Sequence, residues 1–575
     1  MFKKIDKIDK SDYVASSSKK YLGMRGAPLH KAIATIAGLG FLLFGYDQGV
    51  MGSLLTLDSF LETFPQINDS VDTSKSTLKG FVIAVYELGC MTGAFFTMWK
   101  GDIFGRRKMI FYGSIIMTIG GILQCTSYSV AQLAVARVVS GVGNGFITST
   151  IPTLQSECAK PHRRGALIMM SGALISFGIC FSYWVDFGLY FATGDVQWRF
   201  PIAFQIVFSL LLTSLIFELP ESPRWLVKIH EIERARETFA ALDDVSVDDP
   251  LIDDEIKDIQ AVLKRDLDLG ADKFSFSVVF KFDEKKTFHR TMLAYFVQVM
   301  QQISGINLIT YYAGTIYETY IGMNALDSRI LAACNGTEYF LASLIPFYTV
   351  ERFGRRSLFL FGTAGQAITM AILTGVQWAS EYKGDQGAAI ACAVFLFVFN
   401  TFFAIGMLGM TWLLPPELVT LESRASVTGL STSANWLFNF VVVMITPVCF
   451  THIGPYTYTI FAVVNAIMVP CIFFFYPETK GRSLEEMDRI FEQSNPKTPW
   501  DVVRIAREMP FENRDIDNED EEDKINLDRS SETSSVSNEK GSASFTLDSV
   551  NDTGFFVKNE ENKNEQETSQ PEKKE

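Results

Sequence analysis

Apolar runs long enough to cross a lipid bilayer recur through this 575-residue chain. A hydrocarbon core of about 30 Å needs about 20 helical residues, each rising about 1.5 Å. Twelve such runs are read, near 33–55, 78–99, 109–128, 130–153, 166–191, 200–219, 290–320, 329–350, 358–379, 387–414, 426–449 and 458–476. A large soluble helical protein would show a polar face at every turn, and stretches such as AIACAVFLFVFNTFFAIGM have none. The count of 48 Phe fits the same solvent. The expectation is an all-α membrane protein with twelve transmembrane helices, its first span retained rather than cleaved as a signal.

Orientation follows the Lys and Arg of the short loops. Lys100, Arg106, Arg107 and Lys108, then Lys160, Arg163 and Arg164, then Arg352, Arg355 and Arg356, then Arg424 all fall on one side. The other side carries little beyond Lys75, Arg199 and Lys383. Both termini are therefore expected in the cytoplasm, with the sequon Asn68-Asp69-Ser70 outside and the plasma membrane as the expected residence. The net charge of −14 is concentrated in one segment: 511–575 holds 19 acidic against 8 basic residues, a net of −11. That segment is rich in Ser, Asn and Glu and is expected to be disordered, so the balance says nothing about a ligand. Eight scattered cysteines without C-x-x-C spacing argue against a metal site. Nothing pairs a nucleophile with a base, so no enzyme activity, cofactor or nucleic-acid partner is expected.

The chain repeats itself. GDIFGRRK (101–108) is echoed by ERFGRRS (351–357), Glu157 with Arg163 and Arg164 by Glu417 with Arg424, and PESPR (220–224) by PETKGR (477–482). The offsets are all roughly 250–260 residues. Parallel repeats of this kind imply two pseudo-symmetric six-helix bundles with a site between them, opened alternately by rocking. The divisions expected are a segment 1–32, a first bundle 33–219, a linker with surface helices 220–289, a second bundle 290–476 and a mostly disordered acidic tail 477–575. Asp102, Arg106, Arg107, Glu157, Arg164, Glu351, Arg355, Glu417 and Arg424 form a candidate cytoplasmic gate. Pairs across the bundles would hold the inside closed and part when it opens.

Asp47 and Arg137 each interrupt an apolar run. Asp47, in GFLLFGYDQGV, lies about 21 Å along its helix from Ile33. A carboxylate at that depth costs at least about 2.5–3.5 kcal/mol and faces a cavity or a cation. Arg137, in the fourth span, is the evident partner.

FGYDQG, GRRK, RVVSGVGNG, PESPRWL, QQISGIN, YY, ERFGRR, NWLFN and PETKGRSLEE resemble the sugar porter family of the major facilitator superfamily over roughly residues 30–490. YELGC, YWVDFG, WLLPPEL and FFFYPETKGRSLEE look most like its fungal glycerol–proton symporter branch. The resemblance implies uptake of a small polyol or monosaccharide with a proton, Asp47 accepting that proton and Arg137 stabilising the ionised form. It places substrate-binding amides at Gln301, Gln302, Asn307, Asn435 and Asn439, an aromatic platform at Trp412 and a gating pair at Tyr311 and Tyr312. Amides suit this ligand because, like hydroxyls, they donate and accept without a charge to desolvate. Joining helices by hydrogen bonds is the alternative role for each. Where hexose carriers usually have Gln and Asn, this chain has Gly172 and Tyr339, which points to a smaller polyol or a rearranged pose. Met98 replaces a usual Gly in the loop motif.

An uncoupled facilitator is the nearest alternative. A nutrient sensor signalling through its tail is more distant. The tail equally suits trafficking or ubiquitination partners, and a monomer is expected.

Overall fold

The computed structural model describes residues 19–68, 73–159, 164–268, 280–420, 423–482, 484–495 and 498–510. The sequon's Asp69 and Ser70, gate-loop residue Arg163 and the acidic segment from 511 fall outside them.

The first six spans are α1 (Gly26–Leu54), α2 (Ser76–Phe104), α3 (Arg106–Cys125), α4 (Val130–Cys158), α5 (Arg164–Tyr190) and α6 (Val196–Leu215). The second six begin with α7, built from Thr287–Ile303 and Ile306–Thr315. They continue with α8 (Ala325–Ser343, running on through Ile345–Phe353), α9 (Arg355–Lys383), α10 (Gln386–Phe403, running on to Leu418), α11 (Arg424–Ile453) and α12 (Tyr456–Phe475). Eleven of these are continuous apolar helices of spanning length. α7 is the twelfth, and it is broken. Outward faces are apolar at helical spacing, as Val207, Leu210 and Leu211 show on α6 and Ile460, Val463 and Ile467 on α12. Such faces suit lipid, and the chain is an integral membrane protein.

Packing repeats with the sequence. α1 lies on α5, α2 and α3 on α4, and α3 on α6; α7 lies on α11, α8 and α9 on α10, and α9 on α12. Glycines permit the closest approaches. A Cβ at Gly89 would sit 3.1 Å from the Gly141 Cα, and one at Gly93 would sit 3.0 Å from the Gly145 Cα, so α2 and α4 touch backbone to backbone. The most extensive contacts between the halves are α2 on α11, α5 on α8, and α1 on the second piece of α7.

The break in α7 has a local cause. Gly305 takes φ +101°, a conformation favouring glycine, and a Cβ there would lie 3.0 Å from the Phe461 ring. The freed carbonyl of Ser304 accepts from Asn465 Nδ2 of α12 at 2.8 Å, as backbone inside a bilayer requires. Tyr312 is non-helical within the second piece (φ −128°, ψ 19°), and Ile316–Tyr320 forms a π turn.

The linker is folded. Pro223–Lys228, Ile232–Asp243 and Pro250–Asp268 are helices, and Trp225, Phe239, Ile252 and Ile256 build a small core of their own. The described start of the tail, the segment 477–575 expected to be mostly disordered, holds two helices. Leu484–Gln493 and Asp501–Glu508 are amphipathic helices that bury Ile490, Phe491, Val502 and Ile505. Asp488 pairs there with Arg290 at the start of α7.

Candidate functional site

Between the halves, α1, α5, α7, α8 and α10 enclose a cavity of about 30 Å³. That is room for about two water molecules. Gln301, Gln302, Asn307 and Trp412 line it, as do Gln48 and Tyr339. On one side of it the halves are tied by Tyr183 Oη donating to the Thr310 carbonyl and Trp184 Nε1 donating to Thr337 Oγ1 at 2.9 Å. Toward the basic loops they meet where a Cβ at Gly172 would lie 3.3 Å from the Gly409 Cα.

The amides form a chain. Gln48 Nε2 donates to Asn307 Oδ1 across the halves at 2.7 Å, and Asn307 Nδ2 donates to Gln302 Oε1. Asn435 Nδ2 donates to both Gln298 Oε1 (2.6 Å) and Gln301 Oε1 (2.9 Å). Asn439 is fully buried, and neither of its amide atoms has a hydrogen-bond partner among the described residues. Asn435 and Asn439 do not line the cavity; Asn435 reaches it through Gln301. Trp412 packs edge-on to Phe41, with ring centres 5.5 Å apart.

The tyrosine pair splits. Tyr311 Oη donates to Glu87 Oε1 of α2, in the other half, whereas Tyr312 Oη donates to the Val443 carbonyl of α11 at 2.8 Å. The kink at Tyr312 turns the two rings toward different halves.

Asp47 and Arg137 are both fully buried, but no direct ion pair joins them. Arg137 donates through Nε and Nη2 to the Ile83 carbonyl (3.2 and 3.1 Å) and lies 4.9 Å from the Tyr86 ring centre. Arg137 and Tyr86 are among the polar groups acting on Asp47, and neither of its carboxyl oxygens has a hydrogen-bond partner among the described residues. The carboxyl therefore has a cation in its field without a fixed salt bridge.

At the basic end the repeated motifs find one another. Glu221 of PESPR accepts from the backbone N–H groups of Arg106 (3.1 Å) and Arg107 (3.2 Å), capping α3. Glu478 of PETKGR accepts likewise from Arg355 (2.8 Å) and Arg356 (3.1 Å), capping α9. Both carboxylates meet orphan donors at a helix start. Burial pushes the Glu221 carboxyl up, opposed by the N–H groups of Ser222 and Arg107. Arg107 and Arg356 donate to the Phe217 and Phe473 carbonyls at 2.9 and 2.7 Å.

The gate charges depart from the pairing expected. Arg106 pairs with Asp102 and Glu157, both at 2.9 Å, and Arg355 with Glu351 (2.6 Å) and Glu417 (3.3 Å). These partners stand one turn away or on the neighbouring helix, so each cluster knits its own half. Contact across the halves comes instead from α5, whose Gly165 abuts Glu351 and Arg355. Arg424 begins α11, half-buried. Arg164 begins α5, and its side chain lies outside the described residues.

With this geometry in hand, the comparisons with known proteins decide the family. The profile of the family described as "Sugar (and other) transporter" matches residues 33–491. This chain is a sugar porter of the major facilitator superfamily. The porter is 36% identical over 571 residues to Sugar transporter STL1 of Saccharomyces cerevisiae, covering 94% of this chain and 97% of that one. It is 36% identical to the MFS-type transporter oryC of Aspergillus oryzae over 86% of this chain and 91% of that one. Among solved structures, the xylose transporter XylE from E. coli matches in a partially occluded inward-open conformation with a TM-score of 0.65 at 22% identity, over 80% of this chain and all of that one. The same protein bound to 6-bromo-6-deoxy-D-glucose matches with a TM-score of 0.70 at 24% identity, over 81% of this chain and all of that one. The porter's relatives are transporters, and it is not an enzyme.

Sequence reasoning missed several groups of the porter's interior. Gln48 adjoins Asp47 and was passed over for its charged neighbour. Glu87 and Asp186 stood inside quoted motifs, yet each is a buried carboxyl in a span. Arg329 of α8 acts on Asp186 from the other half. Asking every ionisable residue within a span for its partner would have found all three charges.

Proposed function

We propose that this porter takes up a small polyol or monosaccharide together with a proton by alternating access. The observation that carries the reading is the adjacency of two sites. A buried carboxyl with a nearby guanidinium, Asp47 and Arg137, adjoins an amide-lined cavity through Gln48, the next residue along α1. Protonation of Asp47 removes its attraction to Arg137 and relaxes the helix that carries Gln48. Gln48 holds Asn307 on α7, so the change reaches the substrate amides of the other half.

Chemistry favours a neutral, hydroxylated ligand. Gln301, Gln302 and Asn307 offer donors and acceptors but no charge, and Trp412 offers an apolar face. Tyr339 at the wall and the small enclosed volume favour glycerol or a similarly short polyol over a hexose. The relatives add support: XylE is described as a proton:xylose symporter and STL1 as a sugar transporter. We further infer that the basic-loop end faces the cytoplasm of a plasma-membrane protein, that the paired arginine clusters stiffen each bundle as it rocks, and that the domain limits are 33–219 and 290–476.

The test is uptake of radiolabelled glycerol, glucose and xylose in transporter-null cells, with and without a protonophore. Protonophore-sensitive glycerol uptake with external alkalinisation is expected, and Asp47→Asn should abolish the alkalinisation. Alkalinisation in Asp47→Asn cells equal to that of wild type overturns the proposal.

A further inference from the structure

The membrane interior of the first half holds a second carboxyl beside the Asp47–Arg137 set. Glu87 of α2 is fully buried. Glycines let α2 and α4 touch backbone to backbone just beyond it, and Arg137 of α4 acts on it without a direct ion pair. Its Oε1 accepts from Tyr311, and its Oε2 has no hydrogen-bond partner among the described residues. The charged and titratable groups acting on it are Arg137 of α4, Asp47 of α1, Tyr311 of α7, and Tyr86 and Cys90 of its own helix. α11 also packs along α2, but its ionisable side chains, Arg424, Cys449 and His452, stand at its ends.

Charge balance then limits the set. With Asp47 and Glu87 both ionised, one guanidinium faces two buried carboxylates and a net charge of −1 remains in the membrane interior. Such a charge is costly in low dielectric, and one proton removes it. A single proton shared between Asp47 and Glu87 would leave the set neutral, with one carboxylate facing the guanidinium.

The contact with Tyr311 gives that proton a mechanical consequence. Tyr311 belongs to the second piece of broken α7, in the half that carries the amide cavity. A phenol donating to a carboxylate makes a charge-assisted bond roughly twice as strong as one to a neutral carboxyl. We propose that Glu87 is a second proton-binding carboxyl of this transporter, sharing one proton with Asp47 around Arg137, and that its bond to Tyr311 links that proton to the position of α7. When the proton rests on Glu87 Oε2, the tie between the halves is weak; when the proton moves to Asp47 or leaves, the tie tightens. No covalent bond other than O–H forms or breaks. The inference rests on the proton-coupled reading of the preceding section.

Two measurements on the full-length protein test it. In reconstituted vesicles, equilibrium exchange of radiolabelled glycerol between pH 5.5 and 8.5 is compared for wild type, Glu87→Gln and Tyr311→Phe. Gln keeps an acceptor for Tyr311 but cannot titrate, so the pH dependence of its exchange should fall by at least half. Tyr311→Phe keeps both carboxyls but removes the donor favouring ionised Glu87, so its profile should keep its amplitude with the midpoint moved to higher pH. The second measurement needs no substrate: the melting temperature of purified protein over the same range should vary less with pH in Glu87→Gln than in wild type. Wild-type profiles in both measurements for Glu87→Gln overturn the proposal. If Glu87→Gln cannot be purified, an unmoved midpoint in Tyr311→Phe overturns it. If wild-type uptake ignores a protonophore, the symport reading fails on its own, and the melting comparison still decides whether Glu87 carries a titrating proton.

Discussion

At the basic end, the two halves of this transporter are built nearly alike. Glu221 caps α3 as Glu478 caps α9, Arg106 reaches Glu157 as Arg355 reaches Glu417, and glycines with φ +81° and +85° make the two turns. In the membrane interior they differ. The first half gathers Asp47, Glu87 and Arg137, and the second gathers Gln298, Gln301, Gln302, Asn307, Asn435 and Asn439, all buried. The end contacts are duplicated, whereas the interior is not: the Asp47, Glu87 and Arg137 set has no counterpart in the second half, and most of the amides around the cavity have none in the first. Helix caps tolerate little change, whereas interior polar groups need only find partners, so the interior is where the repeats diverged.

Removing the cation of the first half should break this division most severely. Arg137→Gln strands two carboxyls near one another, and losing one partner of a buried charge set costs about 3–5 kcal/mol. Loss of nearly all uptake is expected, with a lowered melting temperature that adding Asp47→Asn partly restores. An unimproved double variant would mean that Arg137 supports the Ile83 carbonyl rather than the carboxyls. Next come the twin caps. Glu221→Ala removes the acceptor of three backbone N–H groups and Glu478→Ala that of four, at roughly 1.5–3 kcal/mol for each variant. Their melting temperatures should fall by similar amounts, and a drop in only one would show that the apparent symmetry is not energetic.

How far the sequence foretold this depends on the kind of feature. Twelve spans and their duplication were legible because each span is a long local signal and the repeat preserves spacing. The break at Gly305 was not, since glycines such as Gly45 and Gly49 also sit inside unbroken spans and the compensating Asn465 lies 160 residues away. The repeated loop motifs were seen, yet their meeting was not, because a carboxylate capping a distant helix leaves no local trace. Gate charges were expected to pair across the halves; the spacing of four between Asp102 and Arg106 and between Glu351 and Arg355 already allowed the local pairs that form. Among the amides, Gln301, Gln302 and Asn307 reach the cavity while Asn435 and Asn439 stand behind it, a distinction set by the rotation of α11.

That distinction predicts graded effects on transport. Gln302→Ala and Asn307→Ala each remove a cavity-lining amide, and Asn307→Ala also breaks the bond from Gln48, so a loss of about 1–2 kcal/mol in transition-state binding is expected for each. Uptake efficiency should drop roughly 5- to 30-fold, mainly through a raised KM. Asn435→Ala acts only through Gln301 and should cost less. Equal losses for lining and supporting amides would place Asn435 against the substrate itself.

The smallest effect, and the one that most sharpens the comparison, concerns Tyr339. Its ring lines the cavity and packs on Phe403 with centres 6.1 Å apart. Tyr339→Asn exchanges that ring for an amide and opens volume on the side of the second half. Glycerol is small enough to gain nothing from the space, whereas a hexose gains both room and a hydroxyl partner. The ratio of glucose to glycerol uptake should rise by about 1 kcal/mol, or roughly fivefold. Gly172 faces Gly409 at a seam between the halves, so restoring bulk there should instead slow transport of every substrate. If Tyr339→Asn leaves the ratio unchanged while slowing both solutes, the ring serves closure rather than selection, and the ligand's size is set by the approach of α5 to α10.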